Sequence, residues 1–550
     1  MRYAIFDVES DDLLDKITTI HVIVVKDATS GVTTAFYDVQ AAVDYLDTFD
    51  RVIGHNCIMF DIPAINRFVK WTPKAMPIDT MLISRLLWPD RNTHPAGGSS
   101  LKAWGKKLAL PKGEFSDFSQ LTKEMVTYCK QDVDITHRIF DEIMPLASKC
   151  PSAVTNELLT ATIIAQQVAN GFGFDSKAAA ELQADLSMKQ IECTEALQAA
   201  FPPKLIPLKT KVKEIPFNPG SRDMIASALI KKYKWKPTEF TDTGKPKIDE
   251  AVLATLHFPE IQLLSDYLLY DKRLGQLAQW IEYCRDGKIH GGVNTNGAIS
   301  GRMTHSEPNM AQVPRGTSMY GPECRALFHP TREGWVQVGA DAAGLELRML
   351  AHYLAAYDGG AYGKIICDGD IHTHNQKAAG LANRDQAKTF IYGLLYGAGD
   401  AKVGSIVSGS AADGKRLKTA FKDQVPAYGK LLQHLDFKCA SGNLLSGLDG
   451  RPLPVRSAHS ALNLLLQSAG AVVMKRALVT LDDILSREIP GQYAFMANIH
   501  DEWQIECPPE HATLVGVTAV DAIKQAGVFY KLQCPLDGAY TVGTNWKETH

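Results

Sequence analysis

Strand-like apolar runs open the chain. The segments "RYAIFDVE", "IHVIVVKD" and "DRVIGHN" alternate with stretches of helical spacing over residues 1 to about 145, an α/β pattern. "KCPSAV" reads as a junction, and "VTNELLTATIIAQQVANGFGF" beyond it has helical periodicity. Residues 201–247, rich in Lys, Pro and Thr, read as irregular. After residue 290, long helices mix with short strands. "WVQVGADAAGLELRML" predicts a strand through Trp335, Val336 and Val338 into Asp341, then a helix with Leu345, Leu347, Met349 and Leu350. "YAFMANIHDEWQIEC" predicts a half-buried hairpin: Tyr493, Phe495 and Ala497 alternate into its tip, and Trp503, Ile505 and Cys507 out of it. "SAHSALNLLLQSAGAVVM" predicts a buried helix whose Asn463 and Gln467, four apart, form a polar stripe; its Ser, His, Asn and Gln argue against a membrane span. There is no internal repeat and no low-complexity tail.

A chain of 550 residues exceeds one hydrophobic core, so two or more domains are expected. Apolar content of 45% and charged content of 22% are those of a globular protein. Ten cysteines without a CxxC pair fit a reducing compartment, and "MRYAIFDVES" lacks the apolar stretch of a signal peptide. The formal net charge of −3 weighs mildly against a nucleic-acid partner, so any phosphate binding must come from local patches.

Candidate chemistry falls into two groups. In "YAIFDVES", Asp7 and Glu9 are two apart on a strand and share a face. "VIGHNCIMFDIP" supplies Asp61 just ahead of Pro63, where a helix can begin, and "MVTYCKQDVDIT" places Tyr128 and Asp132 on one side of a helix. Convergent carboxylates suit two hard divalent cations, which can activate water for phosphodiester hydrolysis, with Tyr128 orienting it. Asp61 alone would be a helix cap and Tyr128 alone a core aromatic; the combination carries the reading.

The second group answers a puzzle in the hairpin. Its tip is "HDE", and adjacent Asp501 and Glu502 repel unless something positive lies there. If Asp341, at its strand's end, faces Asp501, two Mg²⁺ ions resolve the repulsion, and the Ala342 carbonyl adds a ligand oxygen. Arg384, Lys388 and Tyr392 of "NRDQAKTFIYGLLYGAGD" fall at i, i+4 and i+8, a stripe suited to a triphosphate with a base stacked beyond it. Taken alone, that stripe is better described as a solvated amphipathic face with Tyr392 packed inward. "YGAGD" is not a phosphate-binding glycine loop, for no Walker lysine accompanies it.

The DxE strand, Asp61 and the YxxxD helix together resemble the proofreading 3′–5′ exonuclease domain of DNA polymerases, and the later motifs resemble the DNA polymerase I family (family A), with the replicative enzymes of short-tailed bacteriophages nearest. "DAAGLELRML" is similar to that group's first palm motif, "RDQAKTFIYGLLYGAGD" to its fingers helix and "HDE" to its second palm motif. "GGVNTNGAISGRMTHSEPNMAQVP", "DGDIHTHNQ" and "GLDGRPLPVRSAHSALNLLLQSAGA" fit as well. The resemblance implies α/β plus α+β architecture: an RNase H-like exonuclease domain over 1–150, then a right-hand polymerase domain over 151–550. Within the latter it implies a thumb at about 175–290, a palm at about 291–362 and 456–550, and fingers at about 363–455. It implies that Asp7, Glu9, Asp61 and Asp132 bind the exonuclease metals, and that Asp341, Ala342 and Asp501 hold the polymerase metals with Glu502 nearby. It assigns Arg384, Lys388 and His372 to the triphosphate, Tyr392 to stacking on the nucleotide, and Glu346 to excluding a 2′-hydroxyl. Arg302, Asn463, Gln467 and His500 would hold the primer terminus and minor groove, where universal acceptors let donors check pair geometry. A phenol at Tyr392 implies ready acceptance of dideoxynucleotides. The expected cofactor is Mg²⁺, two per site, with Mn²⁺ as a substitute.

The expected partners are primer-template DNA, deoxynucleoside triphosphates, and a phage helicase-primase or single-strand binding protein, in the cytoplasm of a bacterial host, without a membrane. The long basic thumb insertion that binds thioredoxin in the best-known phage relatives is missing upstream of "FNPGSRD", so thioredoxin is not expected. Nor is the 5′-nuclease domain of cellular relatives. Lys204, Lys209, Lys211, Lys213 and "KKYKWKP", with Tyr233 and Trp235, either touch duplex phosphates or form a solvated surface. A single-subunit RNA polymerase shares the palm, but Glu346 and the N-terminal carboxylates argue against it. A DNA-binding scaffold with dead sites would not keep every metal carboxylate.

Overall fold

The computed structural model describes residues 2–110, 112–207, 212–442 and 444–550. Its N-terminal sheet forms where the sequence alternation places it. Tyr3–Ser10 is the central strand of five, antiparallel to Ile20–Asp27 and parallel to Arg51–Gly54, with Thr33–Phe36 and Ile78–Asp79 at the edges. Ala4, Ile5 and Phe6 are buried in succession because the strand is covered on both faces. Thr122 caps the helix Lys123–Ala147 through its side chain, and Cys129 and Val133 pack that helix against Ile5, Val22 and Val24.

Cys150 separates this helix from Pro151–Asn170, which starts with proline at its first position. The second helix serves two cores: Leu158 and Ala161 pack with the N-terminal sheet, Ile163 and Ile164 with the largest core of the molecule. Its Glu157 is buried beside two cations, Arg451 at 2.8 Å and Lys475 at 2.5 Å, and Arg451 also pairs with Asp449 at 2.7 Å.

Two long helices, Ser176–Ala200 and Ile261–Tyr283, pack against each other. The segment between them departs from the irregular reading. Lys204–Pro207 pairs with Val212–Ile215, and Arg222–Tyr233 is a helix capped by Ser221. Ile225, Ala226 and Leu229 bury against Leu197, Phe201 and Phe217, an amphipathic face too short to stand out among lysines and prolines. Tyr233 stacks on Phe258 at 4.3 Å and Trp235 packs on the same cluster, so both aromatics serve this small core. Lys204 and Lys213 are exposed, whereas Lys209 and Lys211 lie outside the described residues.

The C-terminal half centres on an antiparallel sheet in the order Ala494–Ile499, Glu502–Cys507, Val336–Ala342, Gly538–Gly543. Behind it, the helices Ala458–Glu488 and Ala512–Phe529 pack together. Two segments, Ala458–Glu488 and Pro509–Phe529, are long and apolar enough to cross a membrane. The first has 78% of its apolar window buried within the protein, as the core helix its polar stripe predicts. Five helices between Ile371 and Ala440, among them Arg384–Leu395, pack into the same core as the sheet.

Candidate active sites

The N-terminal site is a cavity of about 150 Å³ at the end of the central strand. Asp7, Glu9, Asp61, Tyr128 and Asp132 all line it, so strand, short helix and long helix converge as their spacings predict. The Val8 N–H donates to Asp61 Oδ1 at 3.1 Å, fixing the start of the helix Asp61–Asn66 against the strand. Burial, followed by the charge of Asp132, pushes the Asp7 carboxyl up to about 7. Burial, then Asp7 and Asp132, lifts Glu9 to about 9. Asp61 is raised by burial and by Asp7, and Asp132 by burial against the opposing charge of Lys112. Carboxylates that strengthen one another's hold on protons form a donor set fitted to a hard divalent cation.

Sequence reasoning missed Lys112, whose ammonium pairs with Asp132 Oδ2 and lies 4.7 Å from the centre of the Tyr128 ring. Lys112 sits in irregular backbone, where no periodicity announces it. It missed Cys129 too, whose Sγ is 3.5 Å from Asp7 Oδ2.

At the C-terminal site, Asp341 ends the strand Val336–Ala342, and its register partner across the sheet is Glu502. The Ala342 N–H donates to the Asp501 carbonyl at 3.1 Å, so strand end and hairpin tip are locked side by side. His500 takes a left-handed backbone with φ 61° to make that tip. Asp341 is exposed and Asp501 partly buried. Burial raises both carboxyls, each is raised further by a neighbouring acid, and Arg302 (at Asp501) and the His550 side chain (at Asp341) oppose the shift.

Glu502 goes elsewhere. Its Oε1 accepts from Trp546 Nε1 at 2.6 Å and from Gln504 Nε2 at 2.6 Å, while Oε2 lies 2.9 Å from His550 Nδ1. Bonding to His550 and Trp546 outweighs burial and lowers its pKa. The repulsion inferred for adjacent Asp501 and Glu502 is therefore relieved on the Glu502 side by the C-terminal segment. Trp546 and His550 were not legible as site residues, because they lie in a short irregular tail far along the chain.

Around the pair, Arg302 Nη2 donates to Glu346 Oε1 at 3.1 Å, and the Tyr396 hydroxyl donates to the same oxygen. Tyr392, half-buried, has its pKa raised by burial and then by Glu346 and Asp501, which places it at the same cleft. Arg302, His500 and Asp501 line a cavity of about 30 Å³ with Gly470 and Met474 of the long helix. Asn463 and Gln467 occupy earlier turns of that helix and keep partial exposure among buried neighbours. Arg384 pairs with Asp370 at 3.0 Å, and Asp370 also caps the helix Ile371–Ala379 by accepting from the backbone N–H of His372 at 3.0 Å. Burial, then Arg384, lowers the His372 pKa. Lys388 is exposed one turn further on. Tyr396 was missed, although it continues the stripe Arg384, Lys388, Tyr392 by one more turn.

An antiparallel sheet carrying paired carboxylates, flanked by a helical lobe with a cationic stripe and by two long helices, defines a nucleic-acid polymerase fold. Structural comparison agrees: the chain superposes over 100% of its length on 96% of "POL domain of Pol1 from M. smegmatis complex with DNA primer-template and dNTP", with a TM-score of 0.83 and 18% identity, a likeness of fold. The model of DNA polymerase family A matches residues 192–548, and the chain belongs to that family. It is 33% identical to the DNA-directed DNA polymerase of Enterobacteria phage T3 and 32% identical to that of Escherichia phage T7, with 99% of each chain covered in both cases. It is a DNA-directed DNA polymerase of the phage type. The alignments run over 701 and 702 positions, so both phage proteins carry segments that this chain of 550 residues lacks.

Proposed function

We propose that the chain copies a DNA template by extending a primer 3′-hydroxyl, and that its N-terminal 150 residues trim mispaired 3′ ends. The observation that carries the first part is the lock between Ala342 and Asp501, which sets Asp341 and Asp501 at adjoining strand ends. Two Mg²⁺ ions, when bound, would supply charge stabilisation to the attacking and leaving oxygens of an in-line displacement. Asp341, Asp501 and the Ala342 carbonyl would hold them, and raised carboxyl pKa values suit such a role. Glu502 anchors the hairpin to the C-terminal segment.

Arg384, Lys388 and His372 receive the triphosphate, with Asp370 pairing with Arg384 and capping the helix that carries His372. Tyr392 stacks on the incoming nucleotide, and Glu346, fixed by Arg302 and Tyr396, excludes a 2′-hydroxyl. Arg302, Asn463, Gln467 and His500 hold the primer terminus and minor groove. In the trimming site Asp7, Glu9, Asp61 and Asp132 would hold metal ions, and Tyr128 orients the attacking water.

The domain division is 1–150 and 151–550, with thumb, palm and fingers as expected from the sequence. The natural setting is replication of a phage genome in a bacterial cytoplasm, alongside a helicase-primase or single-strand binding protein. Thioredoxin is not a partner in this reading, which the segments absent relative to the T3 and T7 proteins support.

The test is primer extension and degradation by the purified chain. Asp501→Ala abolishes extension and keeps degradation, and Asp7→Ala does the reverse, each loss on the order of 10³-fold or more. Loss of both activities in either variant overturns the assignment of separate sites.

A further inference from the structure

Two cysteines far apart in the chain meet beside the C-terminal sheet. Cys367 lies on the short helix Ala361–Asp368, and Cys534 lies just ahead of the strand Gly538–Gly543. Gly363 makes the approach close: a Cβ there would lie 3.5 Å from Cys534 Cβ and 3.6 Å from its Sγ. Cys367 is one helical turn beyond Gly363, on the same face. Side chains on a helix lean toward its N-terminus, so Cys367 leans over the bare glycine toward Cys534. The two thiols are hydrogen-bonded to each other.

Arg348, on the neighbouring helix Leu345–Asp358, holds both segments in this arrangement. Its Nη1 stands 3.9 Å from Cys367 Sγ and donates to the carbonyl of Pro535, the residue after Cys534. Its Nε donates to the Ala343 carbonyl at 2.8 Å. The two thiols differ in access. Cys367 is exposed and open to a dissolved oxidant, whereas Cys534 is fully buried. Burial, then Cys367, pushes the Cys534 thiol up to about 11, so it is inert toward solvent and meets only what stands against it.

We propose that Cys367 and Cys534 are a site of reversible oxidation by peroxides, and that their disulfide slows nucleotide addition. Hydrogen peroxide converts the Cys367 thiol to a sulfenic acid and releases one water, the sulfur giving up two electrons to the peroxide. The Cys534 sulfur then attacks the Cys367 sulfur. The S–S bond forms, and the sulfenic hydroxyl leaves with the Cys534 proton as a second water. A dithiol reductant returns both thiols by exchange. In the reducing surroundings that the cysteine content implies, the pair stays open until peroxide rises.

The bond fastens the helix Ala361–Asp368 to residues 534–537, and the Asp537 carbonyl accepts from the Ala343 N–H at 2.9 Å, two residues from Asp341. Three residues past Cys367 stands Asp370, which pairs with Arg384 and caps the helix carrying His372. The cross-link thus ties the root of the triphosphate-binding elements to the segment beside Asp341, and a site that adjusts to admit and release nucleotide loses that freedom. This consequence rests on the triphosphate role given to Arg384 and His372; formation of the bond does not.

The experiment uses the full chain. Wild type, Cys367→Ser and Cys534→Ala are treated with hydrogen peroxide, quenched with catalase and alkylated, then divided between primer extension and peptide mass spectrometry without reductant. Wild type should yield a peptide joining Cys367 to Cys534, and its extension rate should fall at least about tenfold and return with dithiothreitol. Both variants should keep their untreated extension rates, which also report that they are folded. Absence of the joined peptide from treated wild type overturns the site. Equal loss of extension in wild type and Cys367→Ser also overturns it, because oxidation elsewhere, as at the partly exposed Cys284 or Cys439, then accounts for the loss. A cross-linked chain that extends as fast as the dithiol form overturns the control of synthesis. An Arg384→Ala variant with an unchanged KM for deoxynucleotides overturns the triphosphate reading instead.

Discussion

The two acidic sites differ in how their charge is balanced. The N-terminal cavity gathers Asp7, Glu9, Asp61 and Asp132 with Lys112 as the cation set against them, and each carboxyl is pushed upward. The C-terminal pair, Asp341 and Asp501, is more open and has Arg302 and His550 opposing its shift. Glu502 is lowered outright by His550 and Trp546. One site is thus strained by its own charges, while the other is partly neutralised by the protein. A site of the first kind gains more from metal and loses more without it. The buried Glu157, Asp449, Arg451 and Lys475 cluster shows a third arrangement, in which acids and cations match in number and no ion is required.

The largest expected effect tests that contrast through pH. With divalent cations chelated, the native chain holds more protons than the unfolded chain between about pH 4, where unfolded carboxyls ionise, and the higher values at which Asp7 and Glu9 ionise when folded. Those folded values are about 7 and about 9. Their contribution is therefore complete below pH 4 and is lost as pH rises through 7 to 9, so thermal stability declines across that range. Asp7→Asn removes one charge and eases Glu9, and at pH 8 in chelator it should stabilise the chain by about 1–3 kcal/mol. Asp501→Asn should gain less, because Arg302 already faces that carboxylate. Melting curves with and without chelator measure both; a wild type whose melting temperature is flat from pH 5 to 9 breaks the comparison.

A smaller effect isolates the C-terminal site. Tyr392→Phe should lower the use of dideoxynucleotides relative to deoxynucleotides by at least about tenfold, since a contact between a polar group and its partner is removed. Degradation should be unchanged. Equal use of the two nucleotides by the variant counts against the role given to the phenol, and a change in degradation counts against separate sites.

What could be read in the sequence was what is local. Asp7 and Glu9 share a face because strands repeat every two residues, and Tyr128 and Asp132 because helices nearly repeat every four. The hairpin around Asp501 and the strand into Asp341 formed where the sequence places them, but Glu502–Cys507 is buried on both faces and not half-buried, because the sheet is covered on both sides. What escaped was set by contacts between distant or irregular segments. Lys112 lies outside any periodic element, Trp546 and His550 reach back more than forty residues to Glu502, and Glu157 meets Lys475 across 318 positions. The helix Arg222–Tyr233 escaped for a different reason: lysines and prolines diluted its apolar face until only tertiary packing revealed it. Even the correct placement of Glu502 at the hairpin hid its role, because position on a strand does not tell which face finds a partner.

Tyr396 offers the finest test, since it was both missed and within reach of periodic reasoning. Its hydroxyl and Arg302 donate to the same oxygen of Glu346, so the carboxylate that would exclude a 2′-hydroxyl is held from two sides. Burial and then Glu346 push the phenol up to about 12, which keeps it a donor at any working pH. Tyr396→Phe deletes one donor and leaves the Arg302 contact, so no buried charge is stranded. The net worth of such a bond is about 0.5–1.5 kcal/mol, or a change of about 2–10-fold. Discrimination between a deoxynucleotide and the matching ribonucleotide, measured as the ratio of kcat/KM, should fall by that factor, and degradation should not change. An unaltered ratio would mean that Arg302 alone positions Glu346, and the C-terminal site would then owe its geometry to cations as fully as the N-terminal site owes its strain to acids.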